Sequence, residues 1–241
     1  MSQLISVPSP IPRSVFSIQS ENVRELEKAW TQGTRLINES LRLDDKKALA
    51  IQTKLMALLF SSYTEAIFSK LIHTPFALLQ TDIEHLKSKF RRNSYSGWKE
   101  CLELVASAIP DKTPEYIDNV VSEITLLLEN FIKEPSKIRN RIAHGQWVIA
   151  LNSRNTAESP DLTEKIKSLD IVTLTRYKIS FTLLSLIIED LVESPHKAHI
   201  NTYNDKIKSF NNEQAKMSTW TLANKIASLK PKPKFGENCK S

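Results

Sequence analysis

The residues best equipped for chemistry stand together in one segment, Lys137-Ile138-Arg139-Asn140-Arg141-Ile142-Ala143-His144-Gly145. Within eight residues from Lys137 it gathers three cations, an amide and an imidazole. An imidazole with an unperturbed pKa of about 6.5 exchanges a proton near neutral pH. A guanidinium stays protonated and donates paired hydrogen bonds to a carboxylate or phosphate. The segment therefore combines proton transfer with anion stabilisation. On a regular helix, at about 100° per residue, Asn140 lies about 40° from His144, Arg141 about 60° on the other side and Arg139 about 140° away. Asn140, Arg141 and His144 share a face by position. Arg139 joins them only along its long stem, or through an irregular helix start.

This segment resembles the motif of the HEPN superfamily, an Arg followed after four to six residues by a His, with a polar residue usually next to the Arg. Arg139, the polar Asn140 and His144 after four intervening residues fit it. The fuller string Arg-Asn-x-Ile-Ala-His-Gly, after one long apolar helix and before another, narrows the match. The specific signal covers about ten residues, and the general form runs from about residue 21 to 193. The resemblance implies an all-α, HEPN-like helical bundle that forms a homodimer, with two motifs lining one cleft and RNA cut without metal or other cofactor.

RNA carries its own nucleophile, the 2′-hydroxyl, so the protein need only move protons and stabilise charge on the phosphate. His144 is the expected general acid or base, Arg139 the phosphate stabiliser, and Asn140 a catalytic partner that orients the imidazole or bonds the phosphate. With one His per motif, His144 of the partner subunit is the second proton-transfer group. Lys137 and Arg141 are expected RNA contacts, and Glu65 a support from the neighbouring helix. Each also has a plainer reading: solvated cations for Lys137 and Arg141, a structural ion pair for Glu65, and a helix-terminal histidine before the stop signal Gly145 for His144.

Other chemistries lack their residues. His196-x-x-His199 is the one close His pair and no Cys or carboxylate cluster accompanies it, so no metal site is expected. There is no nucleophile elbow and no glycine-rich phosphate loop. The alternatives are a non-catalytic HEPN module that binds RNA, nucleotide or a protein partner, and a pure dimerisation scaffold. By analogy with the superfamily, a catalytic form suits a toxin or antiviral defence effector restrained by a regulatory or antitoxin protein.

The elements that must position this segment are helices, for only four glycines occur in 241 residues and long 3.6-residue periodicities dominate. Residues 1–19, with Pro8, Pro10 and Pro12, read as an extended arm. The bundle spans 20–194 and an accessory helical tail spans 195–241, its basic end Lys230-Pro-Lys-Pro-Lys234 disordered. Ser20 is the expected N-cap of a helix from about Glu21 to Arg42. A second helix runs from Asp45 to about His73, before Pro75, with two apolar stripes that suggest neighbours on both sides. Glu65 interrupts one stripe, and a carboxylate there must be paired, hydrogen-bonded or near solvent.

Thr81-Asp82-Ile83-Glu84 has capping-box spacing for a short helix to about Phe90, where Lys87, Lys89, Arg91 and Arg92 cluster as a solvated face or an RNA contact. Further helices cover Trp98 to Ala108 and, after the N-cap Thr113 and N1 Pro114, residues to about Lys133. Pro135 ends that helix and starts the one that carries the motif. Trp147 to Leu151 and Ile166 to Leu174 are expected to pair as a small β-hairpin, followed by a core helix from about Arg176 to Glu193.

Composition sets wide bounds. With 41% hydrophobic residues the chain can bury a large core. Two cysteines, Cys101 and Cys239, suggest a reducing, cytoplasmic compartment. Neither a signal segment nor a run of about 18 apolar residues is evident, so no membrane partner is expected. A formal charge of +6, from 33 Lys and Arg against 27 Asp and Glu, fits a polyanion such as RNA without requiring one.

Overall fold

Ser14 caps the first helix: its hydroxyl accepts from the Ser17 amide, and α1 runs Val15–Arg42 in the computed structural model, which describes residues 13–110 and 112–229. The expected cap, Ser20, lies inside α1 and turns its hydroxyl back to the Phe16 carbonyl. Either serine can cap. Apolar Phe16 and Ile18 extend the helical pattern upstream, so the earlier one takes the role. The proline-rich residues 1–12 and the basic Lys230–Lys234 stretch lie outside the described residues.

Asp44, in the left-handed region at φ 50°, reverses the chain, and the Asp45 carboxylate caps α2, Lys46–Ile72. So short a connection makes α1 and α2 an antiparallel pair. Short helices α3, Gln80–Arg92, and α4, Ser94–Ala106, follow. The Thr81 capping box does not form: the N-cap falls two residues earlier, at Leu79, which makes no side-chain cap bond. Gly97 lets α4 approach α3, since a Cβ there would lie 2.6 Å from the Phe90 Cβ.

Thr113 and Pro114 open α5, Pro114–Leu128, as their order predicts. Its end differs from the expectation. Instead of breaking at Pro135, the chain passes through a π-helical turn, Glu129–Lys133, into α6, Glu134–Ala143, with right-handed helical angles at both junctions. Proline has no amide hydrogen, and a turn already loosened to i→i+5 bonding tolerates that loss. Such a turn also holds one extra residue, rotating everything downstream by about 100° relative to α5.

The expected β-hairpin is absent. Among the described residues there is no strand; Leu151 and Glu158 make one isolated antiparallel bridge. Ser159-Pro160-Asp161 instead starts α7, Pro160–Lys167, and Asp170, accepting from the Thr173 amide at 2.7 Å, caps α8, Ile171–Glu193. The N1 proline Pro160 and the Asp170 cap outweigh the β-branched residues of 166–174.

The core lies where α2, α4 and α8 meet. Phe181 of α8 takes edge contacts from Phe60, Tyr63 and Trp98 at ring separations of 6.0, 6.0 and 5.5 Å. All four are buried, and each such side chain contributes about 1.5–3 kcal/mol through burial. Helices α2 and α8 are also long and apolar enough by composition to cross a membrane, but half of each apolar window is buried in this bundle.

The described part of the tail, residues 195–229, is helical and docked. A π-turn at Pro195–His199 leads into α9, Ile200–Met217, which buries Tyr203, Phe210 and Met217, and α10, Leu222–Ser228, ends the described chain. Tyr203 and Phe210 thus belong to the main core.

Candidate functional site

Helix α6 packs on α2 and buries its Ile138 and Ile142. A residue between those two positions faces sideways along the same neighbour, and Arg139 does so. Its Nη2 donates to Glu65 Oε1 at 2.9 Å, and Ser61 donates to the same oxygen at 3.1 Å. The Arg139 side chain is 27% exposed and that of Glu65 47%. The Arg139 Nε–H is buried and has no hydrogen-bond partner. Glu65, the carboxylate that interrupts an apolar stripe, is therefore paired and near solvent at once.

The Glu65–Arg139 pair forms one wall of a cavity of about 520 Å³ between α2, α3 and α6. Asn140 and Lys137 line it from α6, Lys133 from the π-turn, and Arg91 and Arg92 from the end of α3. Among the described residues, five cations thus face a single lining carboxylate. Two are held by acids just outside: Lys133 donates to Glu129 at 2.9 Å, and Lys137 pairs with Glu134. The Lys133 ammonium holds the Glu129 carboxyl below its ordinary range, with the Tyr95 hydroxyl assisting; Lys137, then Lys165, do the same for Glu134. Arg91 and Arg92 make no ion pair among the described residues, so the α3 side of the cavity is the more open for an anion.

The motif's other half lies elsewhere. His144 is the C-cap of α6, exposed, and does not line this cavity. Gly145, at φ 78°, closes the helix: its amide donates to Ile142 and the Gln146 amide donates to Arg141, a pairing that needs a left-handed residue between them. The Trp147 indole adds a bond of 2.9 Å to the Ile142 carbonyl. His144 makes no side-chain hydrogen bond or ion pair among the described residues.

The helix is regular from Arg139 to Ala143, and its irregular turn lies upstream at Glu129–Lys133. The wide angle between Arg139 and His144 therefore persists. Asn140 goes with Arg139 on the cavity wall, whereas Arg141, half-buried, does not line it. Arg91, Arg92 and Lys133 joined the site unforeseen as a group. The basic run at 87–92 was visible in the sequence, but its meeting with α6 depends on how α3 and α4 fold back.

His196 and His199 diverge. His196 is exposed, while His199 is buried, 3.3 Å from the Tyr116 hydroxyl and beside Tyr203. Burial depresses the His199 pKa, with Lys112 adding to the effect and Asp190 opposing it. Among the described residues no group of three or more His, Cys, Asp or Glu is placed to hold a metal ion.

No family model, curated protein or solved structure matches this chain.

Proposed function

We propose that this protein is a metal-independent endoribonuclease of HEPN type, active in the cytoplasm as a homodimer. The observation that carries the reading is the basic cavity walled by Arg139, Asn140 and Lys137, on the same short helix that ends at His144. A cavity with five cations and one carboxylate in its lining suits the phosphates of a polyanion. Motif spacing supplies the remainder of the argument.

In this mechanism the RNA 2′-hydroxyl loses its proton to an imidazole as its oxygen bonds to the adjacent phosphorus. The bond from phosphorus to the 5′-oxygen breaks, and that oxygen takes its proton from solvent water. The products are a 2′,3′-cyclic phosphate and a 5′-hydroxyl. Arg139 neutralises the charge that builds on the equatorial oxygens, and Asn140 hydrogen-bonds the same phosphate. Glu65 holds the guanidinium in place until phosphate takes over its donor.

Because Arg139 and His144 diverge in one chain, the complete site requires His144 of the partner subunit beside this chain's Arg139. The dimer is thus part of the chemistry. A toxin or antiviral effector restrained by a regulatory or antitoxin-like protein is the biological setting that such an activity suits. One observation favours a second reading, a non-catalytic module binding RNA, nucleotide or a protein: His144 stands outside the cavity that Arg139 lines. Cleavage of RNA in EDTA by the wild type and not by His144→Ala supports the nuclease. RNA binding with no cleavage at any protein concentration supports the module.

A further inference from the structure

A second cavity adjoins the basic one. It measures about 660 Å³, lies between α1, α2 and α3, and shares Glu65, Phe90 and Arg91 with its neighbour. Its volume falls in the range of about 300–1,000 Å³ usual for small-ligand sites. Its lining surface is mostly apolar, with Gln19, Asn22 and Glu25 on the α1 side and Lys87 and Arg91 on the α3 side.

Phe90 is half-buried and stacked on Phe68, ring centres 4.3 Å apart and planes 17° from parallel. The close packing at Gly97 holds its Cβ in position. Across the cavity, on the first turns of α1, the Asn22 amide nitrogen donates to the Gln19 carbonyl oxygen at 3.1 Å. That bond leaves the Gln19 amino group and the Asn22 carbonyl oxygen, a donor and an acceptor one turn apart on α1, without partners among the described residues. A donor and an acceptor are also what the pairing edge of a nucleobase offers. Glu65, whose Oε1 is engaged by Arg139 and Ser61, keeps its second oxygen for a base N–H.

We infer that the cavity between α1, α2 and α3 receives one unpaired nucleobase of single-stranded RNA, packed against Phe90 and read by Gln19 and Asn22, while the adjoining phosphates occupy the basic cavity. The inference rests on the reading of the basic cavity as the phosphate site. Arg91, common to both linings, stands at the point where base and backbone part. Sequence-specific recognition of RNA commonly takes this form, an unstacked base against an aromatic ring with its edge hydrogen-bonded.

The test uses the full chain and a short single-stranded 2′-O-methyl RNA, which has no free 2′-hydroxyl to attack, beside the same 2′-O-methyl backbone without bases. Gln19→Ala with Asn22→Ala, both near the surface of α1, should weaken binding of the base-bearing strand about tenfold and leave the abasic strand unchanged. Phe90→Leu, which keeps bulk and loses the ring, should weaken the base-bearing strand roughly fivefold or more, again selectively. Equal losses on both strands, or no loss from the Gln19 and Asn22 changes, overturn the inference. Cleavage of unmodified RNA in EDTA is scored separately. Selective binding without cleavage keeps the base pocket and removes the nuclease, whereas cleavage with base-blind binding removes the pocket alone.

Discussion

Replacing Arg139 with alanine should separate stability from activity. Among the described residues the guanidinium makes one ion pair, to Glu65, with both partners in partial contact with water at 27% and 47% exposure. Pairs of this kind contribute about 0–1 kcal/mol after screening. The half-exposed Glu65 left behind can be hydrated, so no large penalty for a stranded charge is expected. Removing a donor aimed at a transition-state oxyanion, by contrast, costs about 10²–10³ in rate. Arg139→Ala should therefore keep its urea midpoint within about 1 kcal/mol of wild type while cleavage of a fluorescent RNA in EDTA falls by about 10²–10³. Glu65→Gln, which keeps the shape and removes the charge, should fall between the two. Undiminished cleavage by Arg139→Ala refutes its role at the phosphate. Loss of activity accompanied by a fall of several kcal/mol in stability refutes the separation and makes Arg139 a structural residue.

Three other outcomes follow from the structure. Changing Arg91 and Arg92 together to alanine should reduce the salt slope of single-strand RNA binding by about 1.4, at about 0.7 per phosphate contact; an unchanged slope places the backbone elsewhere. Gly97→Ala would set a Cβ 2.6 Å from the Phe90 Cβ and 2.7 Å from its Cα, forcing α3 and α4 apart at about 1–3 kcal/mol in urea denaturation; an unshifted midpoint would show that the contact yields freely. Burial lowers the His199 pKa in the folded protein, against the opposing pull of Asp190. The unfolded chain, with an ordinary imidazole pKa of about 6.5, takes up the proton first as pH falls. The stabilisation is complete above that pH and declines below it toward the depressed folded value, so wild type should lose more stability than His199→Gln between pH 7.5 and 5.5. Parallel profiles would show that another group governs the decline.

The chain's caps and apolar periods made much of this architecture legible. Asp45 and Pro75 bracket α2, and Thr113-Pro114 opens α5, because each carries a hydrogen bond or a fixed dihedral into the helix end by itself. The hairpin misreading has the same root: the β-branched residues of 166–174 suggested a strand, but Pro160 and Asp170 are helix starters and local capping prevailed. The π-turn was not legible. It depends on how the face of α5 and the face of α6 pack at once on α2, α4 and α8, and no local pattern records that. Lys137, Arg139, Asn140 and Glu65 could be named from residue type alone. Their meeting with Arg91, Arg92 and Lys133, and the separation of His144 from them, required the path of the chain.

Separation of Arg139 from His144 is also what gives the decisive measurement its form. Purified protein is incubated with single-stranded RNA in EDTA, wild type beside His144→Ala, and product ends are identified by mass spectrometry while the oligomer is sized in the same buffer. The account predicts fragments with 2′,3′-cyclic phosphate ends from a wild-type dimer, and none from a His144→Ala dimer. Equal cleavage by both proteins would contradict it, as would intact RNA with both.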